Sequence, residues 1–274
     1  MSTPEPFQEI SVTDPTAKDV PSALMRQTLL DRDLVRPITR PVIRLLPWLK
    51  VVSIGGGSIM DRGRDVVLPV ADALRDALPE HRMLITTGAG IRARHVIGVG
   101  LDLGLPTGAI GGLAATEAEQ NAHLLAALLA ADGVSYLPHG TVAHQLPSHL
   151  AASRAVVANG YPPYGVHEFP PAVGKIPVHR ADAGTFLLAD AFGAARMLYV
   201  KDVDGVQVGG ETVPSIGARE LLTSTARSPV DRLVLELMDR AKHVREIQIV
   251  NGLIPGAIGR ALAGDEVGTT VHAD

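Results

Sequence analysis

The run Val51-Val52-Ser53-Ile54-Gly55-Gly56-Gly57-Ser58 constrains this chain most, because a short apolar stretch enters three consecutive glycines. Leu45, Leu46, Trp48 and Leu49 precede it and residues 61–78 carry a helical pattern, so the glycines fall at a strand-to-helix junction. Glycine suits such a turn: a Cβ would exclude positive φ angles and hold a ligand's oxygens off the backbone N–H groups. The residues leave two readings open, a cradle for a phosphate or other oxyanion and a tight turn with no ligand. The Gly-Lys-Ser/Thr ending of a P-loop and the GxGxxG spacing of a dinucleotide fingerprint are both missing.

Beyond this turn, apolar runs of strand length alternate with helical patterns. Strands are expected at 44–54, 82–87, 134–137, 154–158, 196–202, 246–251 and 268–272. Helices are expected at 61–78, 91–103, 115–131, 181–192, 230–242 and 254–263. Pro147 breaks any long helix over 141–157, and the proline-rich stretch 161–178 is too long for a simple connector. Such alternation predicts an α/β fold with a mainly parallel sheet covered on both faces and ligands at the carboxyl ends of its strands. Both glycine-rich turns, at 55–57 and at Gly88-Ala89-Gly90, sit at such ends. Residues 1–40, polar and proline-bearing, are expected to form an N-terminal arm, and 41–274 a single domain.

Composition removes several function classes. A net charge of −4, with basic residues dispersed among acids, gives no electrostatic case for nucleic acid. The chain has no cysteine, so disulfides and thiolate metal sites are excluded and any metal would be held by His, carboxylate, backbone or water oxygen. The first twenty residues lack the apolar core of a signal peptide, and no apolar stretch reaches bilayer-spanning length. A soluble, cytoplasmic protein with no membrane partner is expected.

The turn at 51–57, Thr87-Gly88-Ala89-Gly90, the helix carrying Asp182, and Val200-Lys201-Asp202-Val203-Asp204-Gly205-Val206 together resemble the amino acid kinase family, which includes uridylate and acetylglutamate kinases. A narrower resemblance, to the molybdenum storage branch of that family and its alpha-type subunits, is carried by several collinear segments. They include Arg26-Gln27-Thr28-Leu29, Gly88-Ala89-Gly90-Ile91-Arg92-Ala93-Arg94-His95, Gly100-Leu101-Asp102-Leu103-Gly104-Leu105-Pro106, His167-Glu168-Phe169-Pro170 and Val250-Asn251-Gly252-Leu253-Ile254-Pro255-Gly256. The resemblance implies a three-layer α/β sandwich, homo- or hetero-oligomers closing a hexameric cage, and ATP with Mg²⁺ in at least some subunits. It also implies molybdate or tungstate packed inside the cage as oxide clusters. On this basis Gly55, Gly56, Gly57, Gly88, Gly90, Asp182, Lys201 and Asp204 are candidate nucleotide- or phosphate-binding residues.

Two departures weaken the kinase half of that expectation. The family places a lysine where Ser53 stands, and a serine cannot offset charge developing on a transferred phosphoryl group. Lys50, three positions earlier, points to the opposite face of the strand. After Val206 the family's extended nucleotide-covering segment is replaced by the short Gln207-Val208-Gly209-Gly210-Glu211, which is expected to remove much of the adenosine pocket. No catalytic residue is therefore assigned, and an autonomous kinase is not expected. Asp182 is read either as an organiser of cations around phosphates or as an acidic residue favoured at a helix N-terminus. Lys201 is either a phosphate ligand or a solvated strand-end charge.

Candidate oxyanion or metal ligands are His149, His167, His179, Arg180 and Gln120. His139, His144 and His149 recur at intervals of five, which suits neither one face of a helix nor an HxxxH zinc motif. His149 is singled out because His149-Leu150 and Arg154-Ala155-Val156-Val157 resemble the storage-protein segment lining the cage. His167 stands alone where the resembling subunits carry a run of histidines. The pair His179-Arg180 either faces polyoxoanions or forms an exposed basic turn. Gln120, with Asn121 and His123, either offers hydrogen bonds to an oxyanion or lies on a solvated helix face. Three functions compete: a storage subunit, a small-molecule phosphotransferase, and a silent structural partner.

Overall fold

In the computed structural model, which describes residues 43–162, 176, 177 and 180–274, the apolar runs ending in glycine are strands. The elements run β1 (Lys50–Ile54), α1 (Arg64–Ala77), β2 (Met83–Thr87), α2 (Ile91–Asp102), α3 (Thr107–Leu128), β3 (Ser135–Tyr136), α4 (Val142–Ala152) and β4 (Ala155–Asn159). They continue with α5 (Ala181–Phe192), β5 (Arg196–Lys201), β6 (Gln207–Val208), β7 (Glu211–Thr212), β8 (Ser215–Gly217) and α6 (Ala218–Thr223). The last are α7 (Arg232–Met238), β9 (Glu246–Asn251), α8 (Ala257–Ala263) and β10 (Thr269–His272). Residues Ile43–Asp274 form one compact unit.

Eight strands build the central sheet in the order β3-β4-β2-β1-β5-β9-β10-β8, and only the β9–β10 pairing is antiparallel. β6 and β7 form a separate hairpin. Alternate residues of the inner strands feed two cores. Val51, Leu84, Val156, Tyr199 and Ile249 pack under α4–α7, whereas Val52, Ile54, Ile85, Leu198 and Val250 pack under α1, α3 and α8. Each such side chain taken fully out of water contributes about 1.5–3 kcal/mol, which is why both faces stay covered. This is the expected three-layer sandwich.

Several boundaries differ from the sequence reading for identifiable reasons. β1 starts at Lys50 instead of residue 44: a turn at Pro47 and Trp48 precedes it, and Ile43, Leu45 and Trp48 are exposed. Pro147 does not break α4. A proline here removes one intrahelical donor, while Leu146 and Leu150 on the same helix are fully buried. The helix expected at 230–242 spans Arg232–Met238. The one expected at 254–263 starts at Ala257, after Gly256 takes a positive φ of 76°.

Lys50 sits at the amino end of the sheet, far from the glycine turns. Its Nζ lies 2.8 Å from His81 Nδ1 and donates to the carbonyl of Leu262 at 2.5 Å, serving the last turn of α8. Burial and the neighbouring Arg196 lower the Lys50 pKa, and burial with the Lys50 charge lowers that of His81.

Candidate nucleotide and oxyanion site

The carboxyl ends of β1, β2 and β5 open onto a cleft of about 1240 Å³. Gly55, Gly56 and Gly57 line its floor, Ala89 and Gly90 one side, and Lys201, Asp202 and the β6–β7 hairpin another. Residues 224–229, after α6, form the far wall together with Asp231. The two glycine turns meet here. A Cβ on Gly56 would lie 2.2 Å from the Gly90 nitrogen and 2.7 Å from the Gly88 carbonyl carbon, so only glycine allows this approach. Gly88 stays behind the lining and donates its N–H to the Ile54 carbonyl at 2.9 Å.

The chain fixes this junction from both sides. Asp61, just beyond the first turn, accepts the N–H of Ile91 at 2.6 Å, tying the start of α2 to β1. Asn121 on α3 is buried and donates to the Gly88 carbonyl at 2.7 Å. The N–H groups of Gly56, Gly57 and Ser58 donate to no acceptor among the described residues. They are three adjacent backbone donors in the turn that forms the cleft floor, and successive N–H groups in a turn are a kind of site that binds anions.

Charged groups line the cleft in linked pairs. Lys201 Nζ is held by both oxygens of Asp182, at 3.0 and 2.9 Å, with each side chain only 12% exposed. Asp182 also accepts the backbone N–H of Asp231 at 3.2 Å, and Asp231 pairs with Arg180. Burial, with the nearby Asp182 charge, pushes the Asp231 carboxyl up to about 6 against the opposing pull of Arg180 and Lys201. Burial likewise raises Tyr161 to about 12 and Tyr199 well above the ordinary phenol value. The Tyr199 hydroxyl donates to the Asp182 carbonyl at 2.8 Å, so it holds the start of α5. Asp202 is occupied by Arg62 at 2.7 Å. Arg94, Arg227 and Asp61 also line the cleft, none of them in an ion pair among the described residues, so two cations and one carboxylate face the space without a charged partner.

The structure sorts the sequence candidates. Gly55, Gly56, Gly57, Gly90, Asp182, Lys201 and Arg180 meet in the cleft, with Gly88 directly behind. Asp182 caps no helix by its side chain, and Lys201 is paired instead of solvated. Asp204 accepts Asn251 Nδ2 at 2.6 Å, bracing the ends of β5 and β9, and stands between the cleft-lining Val203 and Gly205 without lining the cleft itself. Gln120 is exposed and outside the cleft; the residue that matters in that segment is its neighbour Asn121. His149 lies in the last turn of α4, which leads into the start of β4, so it sits at the sheet end opposite the cleft. His139 instead reaches Asn159, at the carboxyl end of β4, with Nδ1 and Oδ1 2.7 Å apart. His167 and His179 lie outside the described residues. Among the described residues no group of three or more His, Asp or Glu is placed to hold a metal ion.

The short segment after Val206 lines the cleft. It folds as the β6–β7 hairpin, with Gly209 and Gly210 at positive φ, and walls the cleft with Gln207 and Val208. The hairpin escapes sequence reading because its strands have two residues each and no buried side chain.

The sequence profile of the amino acid kinase family matches residues 48–251, a span that holds both glycine turns, Asp182 and Lys201. The chain belongs to the amino acid kinase family. Within it, the chain is 41% identical over 259 residues to the beta subunit of the molybdenum storage protein of Azotobacter vinelandii, covering 91% of this chain and 96% of that subunit. The narrower resemblance thus holds, with a beta subunit as the relative where the sequence motifs pointed to alpha-type subunits. The uridylate kinase of Methanothermobacter thermautotrophicus is 29% identical over 236 residues, covering 81% of this chain and 97% of the kinase. The fold is that of uridylate kinase from Archaeoglobus fulgidus, with a TM-score of 0.63 at 21% identity over 81% of this chain and 99% of that one. No helix among the described residues is long and apolar enough to cross a membrane.

Proposed function

We propose that this chain is a molybdenum or tungsten storage subunit, forming the wall of an oligomeric, hexameric cage that holds molybdate or tungstate as polynuclear oxide clusters. The observation that carries this reading is the 41% identity to a molybdenum storage subunit over nearly the whole of both chains. Ser53, buried to 1% exposure and uncharged at the family's lysine position, supports a subunit in which ATP hydrolysis is weak or lost. Cargo is proposed to meet His149 together with at least one of His167, His179 and Arg180, since oxide anions need cations, N–H donors or neutral imidazole ligands around them. His149 lies at the sheet end away from the cleft whereas Arg180 lines it, so in this reading the two meet cargo on different surfaces of the subunit. The cleft's free amides, with the guanidinium groups of Arg94 and Arg227, suit the phosphates of ATP. Bound Mg²⁺ would screen those phosphates, and Asp61, Asp182, Asp202 and Asp231 are the carboxylates that line the cleft.

A second reading, an ATP-dependent phosphotransferase of the uridylate kinase type, is favoured by the intact glycine turns and the size of the cleft. Metal content separates the two. Protein purified after growth with molybdate should carry far more than one metal atom per chain, and a His149→Ala/His167→Ala variant should remain assembled but load less. Metal at or below one atom per chain, with steady phosphoryl transfer to a small acceptor, would establish the kinase reading instead.

A further inference from the structure

We infer that Asp61 is a specificity residue of the cleft: its carboxylate, laid over the second glycine turn, lets the cleft hold one oxyanion on the 55–57 turn and turns away a second anionic ligand beside it. The argument starts from a helix end that is capped from elsewhere in the chain. α2 begins at Ile91 behind Gly90, which has no side chain to cap it, and the first turn carries no acidic residue. The leading N–H groups of a helix lack intrahelical partners, and its dipole favours an anion there. Asp61 supplies that anion, accepting the Ile91 N–H through Oδ2 at 2.6 Å. The N–H groups of Gly56, Gly57 and Ser58 on the first turn have no such occupant among the described residues.

Position and charge together make the carboxylate a barrier. The Asp61 backbone N–H donates to the Gly56 carbonyl at 2.9 Å, so the residue is anchored on the first turn while its side chain reaches the second. A Cβ on Gly90 would lie 2.6 Å from Oδ1 and 2.7 Å from Cγ, and one on Gly57 would lie 3.8 Å from Oδ2. The carboxylate therefore stands between the two turns, against Gly90, facing the cleft with no ion-pair partner among the described residues. Arg92, in the first turn of α2, is held on α3 by Asn121 and Glu117. A second oxyanion here meets a fixed like charge and finds the Ile91 donor already used, which is one way a site rejects a wrong ligand. The ligand class that fits is one oxyanion-bearing molecule, alone or with a neutral or cationic companion; a carboxylate or phosphomonoester companion is excluded. The inference rests on the cleft being an anion site, as in the function proposed above, but not on what the cage stores.

The test uses the intact, assembled protein loaded with a non-hydrolysable ATP analogue and Mg²⁺, into which inorganic phosphate is titrated by calorimetry. Asp61→Asn keeps an oxygen acceptor for the Ile91 N–H and removes the charge. With the analogue in place it should bind phosphate at least about tenfold more tightly than the unaltered protein, and the difference should shrink as salt is raised. Asp61→Ala also frees the donor and should bind phosphate more tightly still; Asp61→Asn carries the test if the alanine variant does not assemble. Failure of the analogue to bind the unaltered protein would overturn the anion-site reading of the cleft, and this inference with it. If the analogue binds, the inference alone falls when phosphate joins it in the unaltered protein as tightly as in Asp61→Asn, or binds neither Asp61 variant. It falls as well if Asp61→Asn weakens the analogue about tenfold with Mg²⁺ but not without it, the mark of a metal ligand.

Discussion

Replacing Asp231 with asparagine should stabilise this protein at neutral and higher pH. The native carboxyl is raised from 3.8 to about 6, mainly by burial and secondarily by the Asp182 charge. Between those two values the folded chain binds more protons than the unfolded one, so stability falls as pH rises through that window. The deficit is complete above about pH 6.5 and absent below about pH 3.5. At about 1.4 kcal/mol per pH unit, the shift amounts to roughly 3 kcal/mol. The Asp231→Asn change keeps the backbone N–H that Asp182 accepts and removes the buried charge. It also frees Arg180, whose pull on the carboxylate is already contained in that shift and whose guanidinium is 45% exposed to water. The net expectation is a gain of about 2–3 kcal/mol at pH 8 that has largely vanished near pH 4. Urea unfolding followed by circular dichroism, at fixed protein concentration across pH 4–8, measures it. A variant less stable than the parent at pH 8, or a difference that does not change with pH, would refute the reasoning.

Two further outcomes test how the cleft is built. Gly56→Ala should lower stability by about 1–3 kcal/mol and abolish anion binding, because its Cβ collides with the backbone of the second turn; Gly57→Ala, whose Cβ would meet nothing nearer than Asp61 at 3.8 Å, should be nearly neutral in thermal unfolding. Asn121→Ala should cost about 1–3 kcal/mol by leaving the Gly88 carbonyl without its donor, whereas Gln120→Ala should shift the unfolding midpoint by little, since that side chain is exposed.

The glycine turns were legible in the sequence because their signal is local: apolar residues on one side, glycine at the junction, helical periodicity beyond. The layered sheet followed from repeating that pattern. Lys201 was ambiguous because its environment comes from pairing with β1, and a single sequence carries no register. Asp204 looked like a site residue by motif, yet Asn251 claims it across β5 and β9. Among the histidines, spacing alone could not tell at which end of the sheet each stands; the direction of β4 puts His149 at the end away from the cleft and His139 beside Asn159 at the carboxyl end. The β10 strand was expected, but nothing local indicated that it would run antiparallel to β9 while joining β8 to the sheet.

That reversed strand has a consequence for the order in which the molecule is built. β8 joins the sheet only through β10, and the segment that follows β8 supplies the far wall of the cleft. During synthesis the floor of the cleft, from β1, β2 and β5, can form long before residues 269–272 emerge. Until they insert, β8 has no strand to dock against and the cleft is a floor without its far wall. A nascent chain should therefore have its glycine turns in place while still unable to enclose a ligand, and ligand capture becomes one of the last events of folding.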